Sequence, residues 1–289
     1  MRVEAHDDAL RADAFDALVA FVRAHVALVD AGEDPTNASG GWDDAPPLVD
    51  DVDAPRAIGA LTSSYWCPRK AFDAPRCAVE AVIGGLARSS ATRGACATAT
   101  GAEWWIQDVA SDEPPKVYHT DCDVMMMDGG TSVRSHPALA SVLYVEGGEG
   151  GGATCVFDQT TSRAADGELE PRAPASVCAC GVRENRFLVF DGDRWHGVLR
   201  NEDGFRGQRV TVLVNWWTSR PAGARTLPRR FVDEKSPRVA ELGAMTRVEP
   251  VVLSRGSYAD DAACWDEQRL PAGASARAGD VVEFRYASA

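Results

Sequence analysis

The sequence is poor in the cations that nucleic-acid-binding proteins need. It has three lysines, Lys70, Lys116 and Lys235. Its net charge is −13 at pH 7, and such a chain repels a nucleic-acid backbone unless basic residues gather locally. The best basic cluster holds only Arg225, Arg229 and Arg230. We therefore expect no nucleic-acid partner.

The sequence also lacks a long apolar run and a secretory leader. No stretch approaches the roughly 20 apolar residues that a transmembrane helix needs. The first residues are acidic, and no basic segment precedes an apolar one as in a signal peptide. We expect a protein without membrane association and with an intracellular, cytoplasmic location.

The eight cysteines lack the spacing of a structural zinc site. No CxxC pair occurs, and the closest two cysteines, Cys178 and Cys180, are separated by one residue. Closed zinc sites commonly take thiolates from pairs with two or more intervening residues. Cysteines of intracellular proteins generally stay reduced, so we expect buried free thiols.

The first third of the chain predicts two helices. Apolar residues recur at helical spacing over 8–31, and an Asp-Ala-Pro start signal lies within a second helical segment over 73–88. His25 falls in the first helix, where we expect it on the surface. Residues 32–55 are rich in Pro, Gly and Asp and predict an exposed loop.

From about residue 102 the pattern changes to strands separated by turns. The predicted strands are Glu103–Val109, Val117–Met127, Leu139–Glu146, Thr154–Asp158, Arg186–Asp191 and Arg209–Trp217. The glycine-rich segment 147–152 is a turn between two of them, and further short strands are expected near 246–253 and 280–287. Because no helical pattern alternates with these strands, we expect an antiparallel sandwich or barrel capped by the N-terminal helices.

The segment VYHTDCD places His119 two positions before Asp121. In an extended chain, residues i and i+2 point to the same side, so both side chains can reach one point. This spacing predicts two ligands of a metal site. Among the four remaining histidines, His196 follows an apolar strand and an Asp-Gly-Asp turn, where it can face into a barrel.

Three other histidines are weaker candidates for the third ligand. His6 and His25 lie in the N-terminal helical region, and His136 precedes a proline in a turn, where we expect it to cap the turn or face solvent. Two imidazoles and one carboxylate form the facial triad of non-haem Fe(II) oxygenases. Such a triad leaves positions open, whereas a fourth ligand closes a structural zinc site.

Arg209 opens the apolar strand RVTVLVNWW. Alternation places it on one strand face with Thr211, Leu213 and Asn215. If that face points into the barrel, the guanidinium needs an anion there, because a buried unpaired charge is costly. A dicarboxylate suits this role, since guanidinium binds carboxylate through two parallel hydrogen bonds, and Thr211 can add a hydroxyl. Pairing of Arg209 with Asp191 or Asp193 is the structural alternative.

These motifs together resemble the 2-oxoglutarate and Fe(II)-dependent oxygenase superfamily, most closely its prolyl-4-hydroxylase-like branch. The resemblance covers roughly residues 102–220, where the HxD motif is followed by ASVLYVEGGEGGGATCVFD, a distant histidine and a strand that begins with arginine. Collagen-type prolyl hydroxylases carry lysine at the position of Arg209.

The resemblance implies a fold, a site and an activity. The fold is mainly β with α, a double-stranded β-helix (jelly-roll or cupin-like) core with an N-terminal helical layer. The iron ligands fall on His119, Asp121 and His196, the cosubstrate cation on Arg209, and the cosubstrate tyrosine on Tyr144. The implied cofactors are Fe(II), 2-oxoglutarate and O2, with ascorbate as a further candidate. The implied reaction is hydroxylation of a C–H bond of a peptide (a prolyl residue first) or of a small molecule, releasing succinate and CO2.

We expect three regions in the chain. Residues 1–100 form a helical region packed on the core, residues 101–220 form the oxygenase core, and residues 221–289 form an extension with short strands. Two other functions use the same features. One is a zinc-dependent hydrolase with the same His/Asp/His set, and the other is a non-catalytic cupin-like binding module.

Overall fold

The computed structural model describes residues 1–30, 64–110, 118–126, 132–147, 150–161, 168–199, 205–232, 241–242, 254–258 and 280–286. The predicted loop 32–55 lies outside this part of the chain, as do the ends of the predicted strand 117–127. The described helices are α1 (Ala12–Asp30), α2 (Ala78–Arg88) and α3 (Arg93–Cys96), with short 3-10 turns at Arg69–Phe72 and Arg229–Phe231. None of the helices in this part has both the length and the apolar character that crossing a bilayer requires.

Two large sheets form the body of the protein. The first has seven strands in the order β1 (Val3–His6), β10 (Phe187–Asp191), β6 (Leu139–Glu146), β12 (Gln208–Trp217), β3 (Gly101–Ala110), β2 (Tyr65–Pro68) and β13 (Arg225–Thr226). The second runs β11 (Arg194–Val198), β7 (Thr154–Thr161), β9 (Ser176–Cys180), β15 (Val281–Tyr286) and β14 (Ser254–Tyr258), with β8 (Leu169–Glu170) beside β7. A separate hairpin pairs β4 (Asp123–Met126) with β5 (Ser132–Ser135).

The strand pairing is almost entirely antiparallel. The described exceptions are β13 beside β2 and β14 beside β15, both parallel. Strand β12 is central, since it pairs with β3 on one side and with β6 on the other over most of its length. The predicted fold class, a mainly β double-stranded β-helix with a helical layer, is confirmed.

Alternation along β12 divides the hydrophobic core into two layers. Val210, Val212, Val214 and Trp216 pack with the helices on the outer side of the seven-stranded sheet. Leu213 points the other way and packs with Tyr144 and Val156 in the space between the two sheets. The face that carries Arg209 and Asn215 therefore lines the interior of the sandwich.

The flanking regions contribute strands as well as helices. Strands β1 and β2 come from the N-terminal hundred residues, and β14 and β15 come from beyond residue 220. Both sets join the large sheets rather than packing as separate layers. The division at residues 100 and 220 stays a prediction, and the described strands on either side of it are continuous with the core sheets.

Two sequence-based expectations are corrected by the structure. His25 is buried rather than on the surface, because its ring packs against Tyr65 of β2 and against Phe231. Its Nε2 lies 3.2 Å from the Tyr65 hydroxyl. Burial, reinforced by the charge of Arg230, lowers the pKa of His25 to about 4. The predicted strand over 117–127 is shorter than expected: His119 makes only an isolated bridge, and regular pairing begins at Asp123.

The seven cysteines in the described residues are all free thiols, as expected. Six are buried, and burial raises the pKa of Cys77, Cys96 and Cys155 to about 12. These three therefore stay protonated near neutral pH and behave as small apolar side chains.

A buried arginine, Arg186, joins the two sheets. Arg186 lies just before β10, and its guanidinium donates two hydrogen bonds to the Asp7 carboxylate at 2.6 and 3.0 Å. The same guanidinium donates to the carbonyl of Gly181, after β9, at 2.9 Å. The charge of Arg186 is thus neutralised and its hydrogen bonds are used, which is the condition under which a buried arginine is tolerated.

We predict that Asp7→Asn lowers the free energy of unfolding by about 3–5 kcal/mol, because the substitution leaves the Arg186 charge buried without its counter-ion. Urea denaturation measures the change. Asp8→Asn is the matched control: the Asp8 side chain is 77% exposed and lies 3.8 Å from Arg183, so its loss should have little effect. Equal effects of the two substitutions would contradict the assignment.

Candidate metal centre

The structure brings His119, Asp121 and His196 together. One potential ligand atom from each residue lies within 4.8 Å of the others. The two oxygens of Asp121 face the two rings: Nε2 of His119 is 3.4 Å from Oδ1, and Nε2 of His196 is 3.6 Å from Oδ2. The three residues that the sequence predicted as metal ligands form a single cluster, in which the His196 side chain is buried and the His119 side chain is half exposed.

A short backbone bridge is the reason the two histidines meet. The N–H of His119 donates to the carbonyl of His196 at 2.8 Å, and the N–H of His196 donates to the carbonyl of His119 at 2.8 Å. Residues directly opposite each other in an antiparallel pair project their side chains to the same side. The ring centroids accordingly lie 4.6 Å apart, and Asp121 follows two positions later on the same side.

The tautomer of His196 is fixed by its second hydrogen bond. Nδ1 lies 2.8 Å from the carbonyl oxygen of Arg194, and a carbonyl can only accept, so Nδ1 carries the proton and Nε2 presents its lone pair. Burial lowers the pKa of His196, although Asp121 opposes this effect. A neutral imidazole with a free Nε2 is the form that binds a metal ion.

Asp121 is held as a carboxylate. Burial would raise its pKa, but the two imidazoles and a hydrogen bond from Asn215 outweigh burial, and the pKa lies well below its usual value. The Asn215 amide donates to Oδ2 at 2.9 Å. Two imidazole nitrogens and one ionised carboxylate fit a divalent transition metal, and three protein ligands leave coordination positions for other molecules.

Arg209 lies on the same inner face of β12 as Asn215 and is 1% exposed. Its Nη2 donates to the hydroxyl of Thr154 at 2.9 Å. Its Nε and Nη1 have no hydrogen-bond partner among the described residues, and no carboxylate there forms an ion pair with it. Burial lowers the pKa of Arg209, and the neighbouring Tyr144 partly opposes this.

The alternative pairing of Arg209 with Asp191 or Asp193 is not observed. Both carboxylates lie 3.5 Å from the guanidinium of Arg194 instead. A guanidinium in the protein interior with unused donors favours an anion at that place, because an unpaired buried charge is costly. The donor set at Arg209 therefore fits a carboxylate group.

Tyr144 and Thr211 lie beside Arg209, opposite each other in the register of β6 and β12. The Tyr144 hydroxyl donates to Thr154 at 2.7 Å, and the carbon at the centre of the Arg209 guanidinium is 5.3 Å from the Tyr144 ring centroid. The Thr211 hydroxyl donates to the carbonyl of Gln107 at 3.4 Å. Contact of Tyr144 and Thr211 with a cosubstrate stays a prediction.

Sequence reasoning missed Thr154 and Asn215 as parts of this region. Thr154 accepts hydrogen bonds from both Arg209 and Tyr144. Asn215 shares a strand face with Arg209, and this alternation was the available signal for an inward side chain. No pattern in the sequence indicates that Thr154 on β7 lies opposite β12 across the sandwich.

A cavity of about 640 Å³ lies at one end of the sandwich, and we call it the rim cavity. Its lining is mainly polar and includes Ser135, His136, Thr161, Asp193, Arg194 and Thr218. Arg194 precedes His196 by two residues on β11, and Thr218 follows Asn215 by three. Along the chain, Arg209 lies near the start of β12, Asn215, which contacts Asp121, lies near its end, and Thr218 at the rim cavity follows.

No protein-family profile and no curated protein sequence matches the chain. Solved structures that resemble it include a prolyl-4-hydroxylase and a 2-oxoglutarate–Fe(II) oxygenase family protein, as the sequence resemblance led us to expect. A prolyl-4-hydroxylase from Pseudomonas putida shares 15% identity, with coverage of 74% of this chain and 91% of that chain and a TM-score of 0.40. HygX from Streptomyces hygroscopicus, solved with nickel and 2-oxoglutarate, shares 11% identity, with coverage of 74% and 82% and a TM-score of 0.38.

A third solved structure, AviO1 from Streptomyces viridochromogenes Tue57, shares 15% identity, with coverage of 78% of this chain and 94% of that chain and a TM-score of 0.37.

We predict that Asn215→Leu weakens the binding of Mn(II) by about 10- to 100-fold, because Asp121 loses the donor that orients its carboxylate. Isothermal titration calorimetry of the purified protein measures the affinity. Gln208→Leu on the same strand is the matched control, since that amide is exposed and donates to Asp108. Unchanged affinity in Asn215→Leu would show that Asp121 is positioned without this hydrogen bond.

Proposed function

We propose that the protein is an Fe(II)- and 2-oxoglutarate-dependent dioxygenase that hydroxylates a C–H bond of its substrate. The observation that carries the proposal is the buried Arg209 guanidinium, whose Nε and Nη1 have no hydrogen-bond partner in the described residues. It lies on the face of β12 that also carries Asn215, the residue that contacts Asp121 of the cluster. An open metal site and a separate carboxylate site in one interior fit a cosubstrate that must bind both.

Two separate sets of residues would bind the metal ion and the cosubstrate. His119, Asp121 and His196 would hold Fe(II), and Arg209 with Thr154 would hold the distal carboxylate of 2-oxoglutarate. When bound, iron and 2-oxoglutarate supply the activation of O2 and the hydroxylation, with succinate and CO2 as co-products. Tyr144 supports the Arg209 guanidinium through its ring face, an arrangement that favours a cation, and through their shared partner Thr154.

The spacing of the two places supports a short dicarboxylate. His196 on β11 is opposite Val156 on β7, and Thr154 lies two residues further along β7. Two residues of a strand span about 7 Å. Arg209 donates to Thr154. Its guanidinium is therefore offset from His196 by about 7 Å along the strand direction.

Two other functions are compatible with the cluster alone. A zinc-dependent hydrolase would use the same three ligands with a water in the open position, but it gives the buried Arg209 nitrogens no anion. A non-catalytic cupin-like binding module accommodates Arg209 only if its own ligand is anionic. The oxygenase accounts for both the cluster and the guanidinium with one cosubstrate.

We predict a visible metal-to-ligand charge-transfer band when Fe(II) and 2-oxoglutarate are added to the apoprotein without oxygen. Arg209→Met removes the cation but keeps much of the side-chain volume, so the band should persist only at higher 2-oxoglutarate concentration. Asp121→Ala should abolish the band, because it removes a metal ligand. Titration of the cosubstrate at saturating Fe(II) separates the two effects.

Two results would exclude this function. The first is the absence of a band in the wild type together with tight zinc binding, which would favour the hydrolase. The second is an equal loss of metal and cosubstrate binding in Arg209→Met, which would mean that Arg209 supports the fold rather than the cosubstrate. Arg230→Met is the matched control, since Arg230 lies beside Phe231 in the 3-10 turn rather than inside the sandwich.

For the substrate, the sequence ranks a prolyl peptide first and a small molecule second, and the rim cavity supports the second. Its volume of about 640 Å³ is within the range of small-molecule sites. Hydroxyls from Ser135, Thr161 and Thr218 line it, and among the described residues no Phe, Tyr or Trp side chain does. A pocket for a pyrrolidine ring would be expected to offer more apolar surface, so we propose a polar, hydroxyl-bearing small molecule as the substrate.

We predict that Thr218→Trp, which fills part of the rim cavity with a large side chain, abolishes substrate-dependent succinate release. Thr218 is exposed at the cavity edge, so the fold and the charge-transfer band should be unchanged. A panel of polyols, amino sugars and prolyl peptides, assayed for succinate, identifies the substrate class. Turnover of a prolyl peptide that Thr218→Trp leaves intact would overturn this substrate assignment.

A further inference from the structure

His136 follows β5 and has a hydrogen bond on each of its ring nitrogens. Nδ1 lies 2.8 Å from the backbone carbonyl oxygen of Asp121. Nε2 lies 3.3 Å from the hydroxyl of Thr161, at the end of β7. The imidazole therefore connects the segment that carries two metal ligands to the edge of the six-stranded sheet.

The second hydrogen bond continues to Thr120, the residue between the two ligands. The Thr161 hydroxyl lies 3.1 Å from the Thr120 hydroxyl, and both side chains are buried. Thr120 points away from the side that His119 and Asp121 share, as expected from alternation in an extended segment. The HxD segment is thus held from behind at two points, the Thr120 side chain and the Asp121 carbonyl.

The Asp121 carbonyl determines where the protons of this hydrogen-bond network lie. The Asp121 carbonyl can only accept, so Nδ1 of His136 is the donor. In the neutral imidazole Nε2 is then an acceptor, which the Thr161 hydroxyl satisfies by donating. The Thr161 oxygen in turn accepts from Thr120. The hydrogen bonds therefore form a chain with a single direction: Thr120 donates to Thr161, Thr161 donates to His136, and His136 donates to the Asp121 carbonyl.

Pro137 explains why a side chain, and not the backbone, donates the hydrogen bond to the Asp121 carbonyl. In the β4–β5 hairpin Asp123 is opposite Ser135, so the same register continued by two residues would place Asp121 opposite Pro137. Proline has no N–H and cannot donate to a neighbouring strand. The His136 imidazole makes the bond to the Asp121 carbonyl at the point where the backbone ladder has no donor.

We propose that His136 is a positioning residue for the metal centre, acting through the Asp121 backbone and, with Thr161 and Thr120, fixing the HxD segment. The inference rests on the proposed metal-dependent function. It assigns a role to a histidine that is outside the ligand cluster and that lines the rim cavity. Removal of the His136 imidazole would leave all three ligand side chains in place but would fix the position of the HxD segment less firmly.

The two ring nitrogens can be tested separately. In His136→Asn the amide nitrogen takes the place of Nδ1, so the donor to the Asp121 carbonyl is kept. In His136→Gln the amide group reaches the place of Nε2, so contact with Thr161 is kept and the bond to Asp121 is lost. We expect His136→Gln and His136→Ala to weaken Mn(II) binding by about 10-fold or more, and His136→Asn to retain most of the affinity.

Calorimetric titration of the full-length protein with Mn(II) measures these affinities, with far-UV circular dichroism to confirm folding. Thr161→Val is a second variant that leaves His136 in place and removes the hydroxyl that orients it, so it should give a partial loss. Thr160→Val is its control, because that hydroxyl donates outward to the Glu170 carbonyl.

The outcomes are distinct. A wild-type protein that does not bind Mn(II) would overturn the proposed function and this inference together. Tight binding by the wild type with equal affinities in His136→Asn, His136→Gln and His136→Ala would overturn the inference alone. Equal losses in His136→Asn and His136→Gln would show that the ring serves packing rather than the Asp121 carbonyl. A higher Mn(II) affinity in His136→Asn than in His136→Gln would support the inference.

Discussion

The candidate site depends on the single backbone bridge between His119 and His196. Two reciprocal N–H to carbonyl bonds of 2.8 Å join a short irregular segment to β11 and set both imidazoles side by side. A shift of one residue in this pairing would turn one histidine to the other face. The hydrogen bonds of the surrounding polar residues, from Asn215 on one side and His136 on the other, act on the segment that this bridge aligns.

Two buried arginines show how the same side chain can serve the fold in one place and a ligand in another. Arg186 donates to Asp7 and to the Gly181 carbonyl, so its charge is neutralised within the described chain. Arg209 donates from Nη2 to Thr154, and its Nε and Nη1 have no hydrogen-bond partner among the described residues. The difference between these environments distinguishes an arginine that stabilises the sandwich from one that fits an anion.

Local patterns were sufficient to predict much of the fold and the ligand cluster. Strand β6 has the predicted bounds, and the alternation of β12 correctly placed Arg209 and Asn215 on one strand face. Contacts between distant segments were not predictable from such patterns. Thr161 meets Thr120 across 41 positions of the chain, and Thr154 meets Arg209 across 55. His25 was placed on the surface because periodicity indicates a helical face but does not reveal which strand covers it.

The strands contributed by the flanking regions have a consequence for the core between residues 101 and 220. Strand β1 covers the edge of β10, β2 covers the edge of β3, and β15 covers the edge of β9. A fragment containing the core alone would expose three rows of unpaired backbone N–H and carbonyl groups. Such edges recruit strands from other molecules. The segments outside the core therefore keep the central sheets from self-assembly, whatever else they do.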